Sequence, residues 1–207
     1  MSIVNTLTLE SNRQIKINFD GGDLSSDAGL LLIKEFAAKI GFTKLIKKKF
    51  KTNDEAVRFH KDAENLLQMI YQVISAYFQD DCADELTLDP VFLAVLGKES
   101  LASQPTLSRF FNRMDEDTLV QFNDIDKKLR DIIYSIKRPE HVLLDLDSTL
   151  FGTYGRQEGE GFNFHYQAHG YHPLLCYDGL TGDLLKAELR NGTLHCSNGA
   201  DKFMESI

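Results

Sequence analysis

The sequence predicts an α+β chain in three consecutive stretches: a short β-hairpin, a helical region and an antiparallel β-rich portion. Three observations carry that reading. Residues 6 to 19 alternate apolar and polar side chains in two short pieces. From about Ser25 to Lys137 the apolar spacing becomes helical, and after Pro139 alternation returns. The corresponding boundaries are 1–22, 23–138 and 139–207.

In the hairpin, Thr6 to Leu9 and Gln14 to Phe19 are the strands, with Ser11-Asn12-Arg13 as the turn and Gly21-Gly22 closing it off. Ser25 or Ser26 is placed to cap a first helix through Leu30, Ile33 and Phe36, with Gly41 as its stop. A short second helix takes in Leu45, Ile46 and Phe50. The third, near 63 to 78, has so wide an apolar stripe (Leu66, Leu67, Met69, Ile70, Val73, Ile74, Tyr77, Phe78) that it reads as the centre of a bundle, with Tyr71, Tyr77 and Phe78 as core. Asp89-Pro90 starts a helix through Phe92 and Val95 that Gly97 ends. Ser103 is a cap and Pro105 a first-turn residue for the next, which leaves Ser108, Arg109, Asn112 and Arg113 on its outer face. Such a helix suits either an ordinary bundle position or entry into a DNA groove. The last helix, near 116 to 137, carries Leu119, Phe122, Leu129, Ile132, Ile133 and Ile136.

Beyond Pro139, Val142 to Thr149 (Val-Leu-Leu-Asp-Leu-Asp-Ser-Thr) is the first strand. Phe162 to Ala168 reads as a second, and Pro173 to Tyr177 and Leu184 to Leu189 as further ones at meander spacing, so the sheet is expected to be antiparallel. Gly152 to Gly161 is a glycine-rich connection without the lysine of a phosphate loop. A helix starts near Ala200 and needs a partner surface to be stable. An unpaired strand edge in such a partial sheet predicts aggregation.

Composition narrows the class. No apolar run reaches a membrane span, since Lys34 and Glu35 interrupt the one at Leu30, and the N-terminus has no secretory pattern. Three cysteines without a CxxC spacing point to a reducing cytoplasm and against a cysteine zinc knuckle. The net charge of −8 and pI of about 5.2 are unlike a basic nucleic-acid domain. Charge is uneven, however. Lys44, Lys47, Lys48, Lys49 and Lys51 crowd into one short stretch, as a solvated helix face or as a phosphate patch.

Asp145 and Asp147 are the paired carboxylates. At strand period two they share one face. If that face is interior, the acids need a partner or a cation; if the strand emerges into solvent, they need neither. Two acids alone cannot hold two divalent cations. His165, His169 and His172, with His195 and Cys196, form a competing metal constellation in which an extended strand would aim His165 and His169 at one face. The acids Asp80, Asp81, Asp84 and Glu85 suit helix-cap and surface roles.

Several blocks, in order, resemble the DDE transposases of bacterial insertion sequences, in particular the insertion sequence 1380 group. They are Leu24-Ser25-Ser26-Asp27-Ala28-Gly29-Leu30-Leu31-Leu32; Ala76-Tyr77 through Asp80-Asp81, then Ala83-Asp84 and Asp89-Pro90; Leu101-Ala102-Ser103-Gln104-Pro105-Thr106-Leu107-Ser108-Arg109-Phe110; Asp145-Leu146-Asp147-Ser148-Thr149; Tyr154 to Gly159; Gly170 to Leu175; and Leu189-Arg190-Asn191-Gly192. The resemblance implies an RNase H-like catalytic core, incomplete here, over 139–207, preceded by a helical DNA-binding region. Asp147 is then the first catalytic acid and metal ligand, with Asp145 supporting it. The implied cofactor is Mg²⁺ or Mn²⁺, and the chemistry is hydrolysis and transfer of DNA strands at insertion-sequence ends. Lys44, Lys47, Lys48, Lys49, Lys51, Arg109 and Arg113 are the candidate DNA contacts. No acid in 150–207 matches the second Asp or the Glu of the triad, so the chain reads as a truncated N-terminal fragment, inactive alone. Expected partners are transposon-end DNA and a second copy or a full-length transposase, with no membrane, in a bacterial, nucleoid-associated cytoplasmic setting. The alternatives are a DNA-binding regulator of a full-length transposase and a histidine metal protein.

Overall fold

The structure, a computed structural model, describes residues 6–22, 24–205 and 207. Positions 1–5, which open the expected 1–22 stretch, and position 23, which opens the expected 23–138 stretch, lie outside the described residues. The chain divides into two compact units, Met1–Ile136 and Lys137–Ile207.

In the first unit, β1 (Thr6–Thr8) and β2 (Lys16–Asn18) form an antiparallel hairpin with Leu7 opposite Ile17. Asn12 shapes its turn by accepting the Gln14 N–H at 3.1 Å. Leu9, 1% exposed, anchors the hairpin in a core with Leu30, Leu31, Tyr71 and Phe92. Among the described residues seven helices follow: α1 (Leu30–Lys39), α2 (Phe42–Lys49), α3 (Asp62–Ile74), α4 (Cys82–Glu85), α5 (Pro90–Leu96), α6 (Gln104–Phe111) and α7 (Glu116–Ile136). A second core joins α2, α3, α6 and α7 through Ile46, Phe50, Leu66, Leu67, Phe110 and Ile125. Removing each such large side chain from water contributes about 1.5–3 kcal/mol.

Local chemistry sets the helix ends. Asp89 accepts the N–H groups of Val91 and Phe92, both at 2.9 Å, Pro90 follows at the first helical position, and Gly97 stops α5 at φ 65°. Asp115 and Thr118 exchange side-chain-to-backbone bonds of 2.8 and 3.0 Å at the start of α7. Other expectations are corrected. Neither Ser25 nor Ser26 caps α1, which begins later, after Gly29. Ser25 instead accepts the Asp27 N–H in a local turn, the competing use of a short hydroxyl side chain. Ser103 precedes α6, but its hydroxyl caps no backbone group.

Helix α3 ends at Ile74, before the expected 78. Ala76 adopts φ 64°, and the bonds Ala76 N–H to Val73 O and Tyr77 N–H to Gln72 O fold the chain back. Its buried face is partly polar, with Asn65, Gln68 and Gln72 inside beside Leu66, Leu67 and Tyr71. Phe78 lies 75% exposed, so of the three aromatics read as core only Tyr71 is fully buried. Leu119 (61%) and Ile136 (74%) are likewise exposed, because the covered stripe on α7 runs through Thr118, Phe122, Ile125 and Leu129, and Phe36 (58%) is exposed on α1, which buries Leu30, Leu31 and Ala37 instead.

Among the described residues of the second unit, six strands form two antiparallel three-stranded sheets. The strands are β3 (Leu144–Ser148), β4 (Phe151–Gly152), β5 (Gly161–Asn163), β6 (Ala168–Tyr171), β7 (Leu174–Asp178) and β8 (Leu184–Glu188). The sheet orders are β3-β7-β8 and β4-β6-β5. Strand β3 therefore neighbours β7 rather than the next strand in sequence, while β5–β6 and β7–β8 pair consecutively as in a meander. The expected single strand from Phe162 to Ala168 is instead a hairpin. Asn163 Oδ1 accepts the N–H groups of His165 and Tyr166 at 3.0 and 3.1 Å, and Gln167 turns back at φ 52°.

The short helix α8 (Ala200–Met204) has the partner surface it needs. Phe203, 2% exposed, packs on Leu174, Cys176, Leu185 and Leu146, and Lys186 donates to its carbonyl at 2.7 Å. Three glycines bind the second sheet to the following loop. A Cβ on Gly170 would strike the Phe151 carbonyl, and one on Gly192 would strike the carbonyls of Gly170 and Gly161. Asn191 adds bonds to Gly159 O (2.7 Å) and Glu160 O (3.1 Å), and buried Arg190 donates to His172 O (3.1 Å) and Asn198 O (2.7 Å).

Candidate catalytic carboxylates and nucleic-acid surface

Alternation along β3 sorts its side chains. Leu146 turns to the core under Phe203, while Asp145 and Asp147 lie opposite Tyr177 and Leu175 and are exposed. Of the two sequence alternatives for this strand, the solvent-facing one holds, so no buried charge demands a partner. Asp147 Oδ1 accepts its neighbour's Ser148 N–H at 2.7 Å. The charge of Asp145 is felt across the strand. Burial first, and then that carboxylate, push the Cys176 thiol above its ordinary pKa.

Beside Asp147 opens a cleft of about 760 Å³, bordered by Asn163, Tyr166, His172, His195 and Cys196. Its walls are the β5–β6 turn that Asn163 shapes and the 190–199 loop that Arg190 and Gly192 hold. Sequence reasoning named His195 and Cys196 only as metal candidates and passed over Asn163. The available signal was the Asn alone, a residue whose side chain can take backbone N–H groups just after it.

The histidines have separate tasks. His169 Nδ1 meets Glu160 at 2.9 Å, buried His172 bonds Leu194 O at 2.8 Å, and His195 bonds Ser197 Oγ at 2.9 Å. His165 sits in the β5–β6 turn, not on a shared strand face with His169. Among the described residues no group of three or more His, Cys, Asp or Glu side chains could hold a metal ion. Asp145 and Asp147 offer hard oxygen donors suited to Mg²⁺ or Mn²⁺, which keep several waters and use one or two carboxylates. The donor type fits such a cation, but two acids do not complete a two-ion site. Asp178 is buried and accepts Leu180 N–H at 3.0 Å, so it closes the β7–β8 turn.

In the helical unit, α2 carries the lysines. Ile46 is buried, Lys44, Lys47 and Lys48 are exposed on the helix and Lys51 just after it, and Lys49 is half-buried. Three of them lie in the last turn, where the helix dipole favours cations. None of the five forms an ion pair among the described residues.

On α6, Leu107 and Phe110 are buried and Arg109 is exposed. Arg113 is engaged instead, pairing with Asp62 at 2.6 Å and donating to Arg109 O at 2.9 Å. Burial works to raise the Asp62 pKa, but the Thr52 hydroxyl and the Arg113 guanidinium outweigh it and hold the carboxyl below its ordinary value. The acids near Cys82 serve α6. Asp84 accepts the Gln104 N–H at 2.8 Å and Asp80 the Gln104 side-chain amide at 2.9 Å, so they do at its start what Ser103 does not.

No helix among the described residues is long and apolar enough to cross a membrane. No curated protein and no solved structure matches the chain. The family model for the transposase DDE domain, group 1, matches residues 7–207. A match that spans the hairpin, the helices and the strand bearing Asp145 and Asp147 makes the chain a member of the DDE-domain transposase family.

Proposed function

We propose that this is a transposase of the insertion sequence 1380 group, with Asp147 as the first catalytic carboxylate of its triad and Asp145 as its support. The observation that carries the proposal is the exposed placement of both acids on one face of β3, beside an open cleft, in a chain of this family. In this reading 139–207 belongs to an RNase H-like catalytic domain and 23–138 to the DNA-binding region. Asp147 and Asp145 would hold Mg²⁺ or Mn²⁺. Such a cation, when bound, supplies Lewis acidity toward a scissile phosphate and lowers the pKa of bound water. The protein's own contribution at this point is orientation. The Ser148 N–H fixes the Asp147 carboxylate, and the packed Leu146 side chain on the opposite face keeps the strand from turning.

Lys44, Lys47, Lys48, Lys49, Lys51 and Arg109 form the surface for insertion-sequence-end DNA, while Arg113 serves it by holding α6 to Asp62. Asp145 and Asp147 gather no third acid among the described residues, and in this reading the 207-residue chain is inactive in strand transfer on its own. A second copy or a full-length transposase is its partner, in a bacterial cytoplasm at the nucleoid.

Two measurements test this. Mn²⁺ should broaden the backbone amide resonances around Asp147, and Asp147→Asn should abolish the broadening; an unbroadened wild-type strand would remove Asp147 from the metal site. Neutralising Lys44, Lys47, Lys48 and Lys51 to Gln should weaken binding to insertion-sequence-end duplex and flatten its salt dependence by up to about 0.9 for each phosphate no longer neutralised. Indifference to those changes rejects the surface, and cleavage of that duplex by this chain alone rejects the inactivity.

A further inference from the structure

A second cleft, of about 470 Å³, lies within the helical unit between the 51–61 connection and α6. Asp54, Arg58, Phe59, Thr106, Arg109 and Arg113 are among its lining residues. The connection is anchored at its start, where Thr52 donates to Asp62 and Lys51 N–H to Gln121 at 2.8 Å. Its far end presents Arg58, Phe59 and His60.

Two cations of the cleft are already neutralised, Arg58 by Asp54 and Arg113 by Asp62. Arg109 has no carboxylate partner among the described residues, and the Thr106 hydroxyl lies one helical turn before it. Phe59 is 71% exposed, an unusual cost for a large aromatic; its ring is T-shaped to His60 with centroids 4.8 Å apart, and the Lys98 ammonium lies over it 5.7 Å from the centroid. A guanidinium without a carboxylate partner, with a hydroxyl that meets Ser103 at 3.2 Å, beside a largely exposed aromatic ring matches one ligand chemistry, a phosphodiester with its own base attached. The volume falls within the range of small-ligand sites. In a duplex the base faces are stacked on each other, so Phe59 can stack only on a base outside a duplex.

Resting on the DNA-binding reading above, we infer that this cleft takes one unpaired nucleotide of a DNA strand, with its phosphate on Arg109 and Thr106 and its base on Phe59. It is therefore a single-strand subsite, distinct in substrate from the lysine surface of α2, which meets backbone phosphates without regard to pairing.

The test uses the 207-residue chain with a fluorescent single-stranded oligonucleotide carrying 2-aminopurine and with the matching duplex. Phe59→Ala should weaken single-strand binding about fivefold or more and abolish the 2-aminopurine quenching. It should leave duplex binding within about twofold, and Phe59→Tyr should restore both signals. Arg109→Gln should weaken single-strand binding and flatten its salt slope by about 0.7. Deoxyadenosine monophosphate should compete only at millimolar concentration. Unchanged affinity and quenching in Phe59→Ala, while lysine neutralisation still weakens the duplex, would reject the subsite and leave the DNA-binding reading intact. If the wild-type chain binds neither strand nor duplex, both readings fall. Competition by the mononucleotide at the concentration effective for the strand assigns the cleft to a free nucleotide and overturns the strand assignment.

Discussion

The side-chain amide of Gln68 pairs with the backbone of Ala102 in both directions. Nε2 donates to the Ala102 carbonyl and Oε1 accepts the Ala102 N–H, each at 2.8 Å. Both residues are buried, so α3 and the approach to α6 are joined by hydrogen bonds that water does not reach. Gln68→Met keeps the volume and removes the pairing, leaving two buried backbone groups unmet. Unmet groups cost about 1–3 kcal/mol each, so a loss of about 2–6 kcal/mol is expected in urea denaturation. An unchanged midpoint would show that the pairing contributes nothing net.

The Asp62 carboxyl predicts an acid-sensitive helical unit. Its folded pKa lies below the ordinary value, so its contribution is complete above about pH 4, where the unfolded group ionises, and is lost as pH falls through the folded value. Asp62→Asn should therefore be less stable than wild type at neutral pH, with the gap closing on acidification. A stability difference that stays constant from neutral pH to about pH 3 would exclude this role.

Ala76 holds a left-handed conformation that glycine adopts without strain. Ala76→Gly should raise stability by about 0.5–1 kcal/mol, the relieved strain being partly offset by the greater freedom of glycine in the unfolded chain. Thermal unfolding is the measurement; a lower midpoint would mean that the methyl group contributes more than the strain costs.

Gly192→Ala should be among the most damaging single-methyl changes, since the added carbon meets two backbone carbonyls rather than a flexible side chain. A loss above about 3 kcal/mol is expected, in the range of core disruption. Hydrogen exchange should rise first in the 190–199 loop and in β6. Exchange confined to α8 would contradict this.

Strand β3 pairs with β7 alone, and among the described residues its other edge has no partner. Val142, Leu143 and Leu144 at its start are 43, 55 and 45% exposed. Concentration-dependent association on sizing is expected, and Leu144→Lys should suppress it by placing a charge on the edge. A monomer at all concentrations would contradict this.

What was legible in the sequence was local. Asp89-Pro90 and Gly97 bound α5 as read, because a cap, a first-turn proline and a stop act within one or two residues. The alternation that put Asp145 and Asp147 on one face needed only strand period. What was hidden depended on distant partners. The acids that start α6 lie some twenty residues before it, and the exposure of Phe36 and Phe78 depends on which side of a helix finds a neighbour. The Phe162–Ala168 stretch misled because its alternation is real, but one Asn side chain takes two backbone donors and outcompetes extension. At the candidate site, the carboxylates could be named from the sequence, whereas the cleft beside them is built by a turn and a loop whose meeting only the fold reveals.

The stacked backbones of Gly161, Gly170 and Gly192 have a further bearing on that cleft. At Gly170 and Gly192 they fix where the loop leaves the sheet using backbone atoms common to every residue, with Asn191 and Thr193 packed on Gly161, and they ask nothing of the side chains at 194–197. The rim that carries His195 and Cys196 is thus mounted independently of its own chemistry. Its side chains are free to be exchanged for others while the wall stays in register with Asp147.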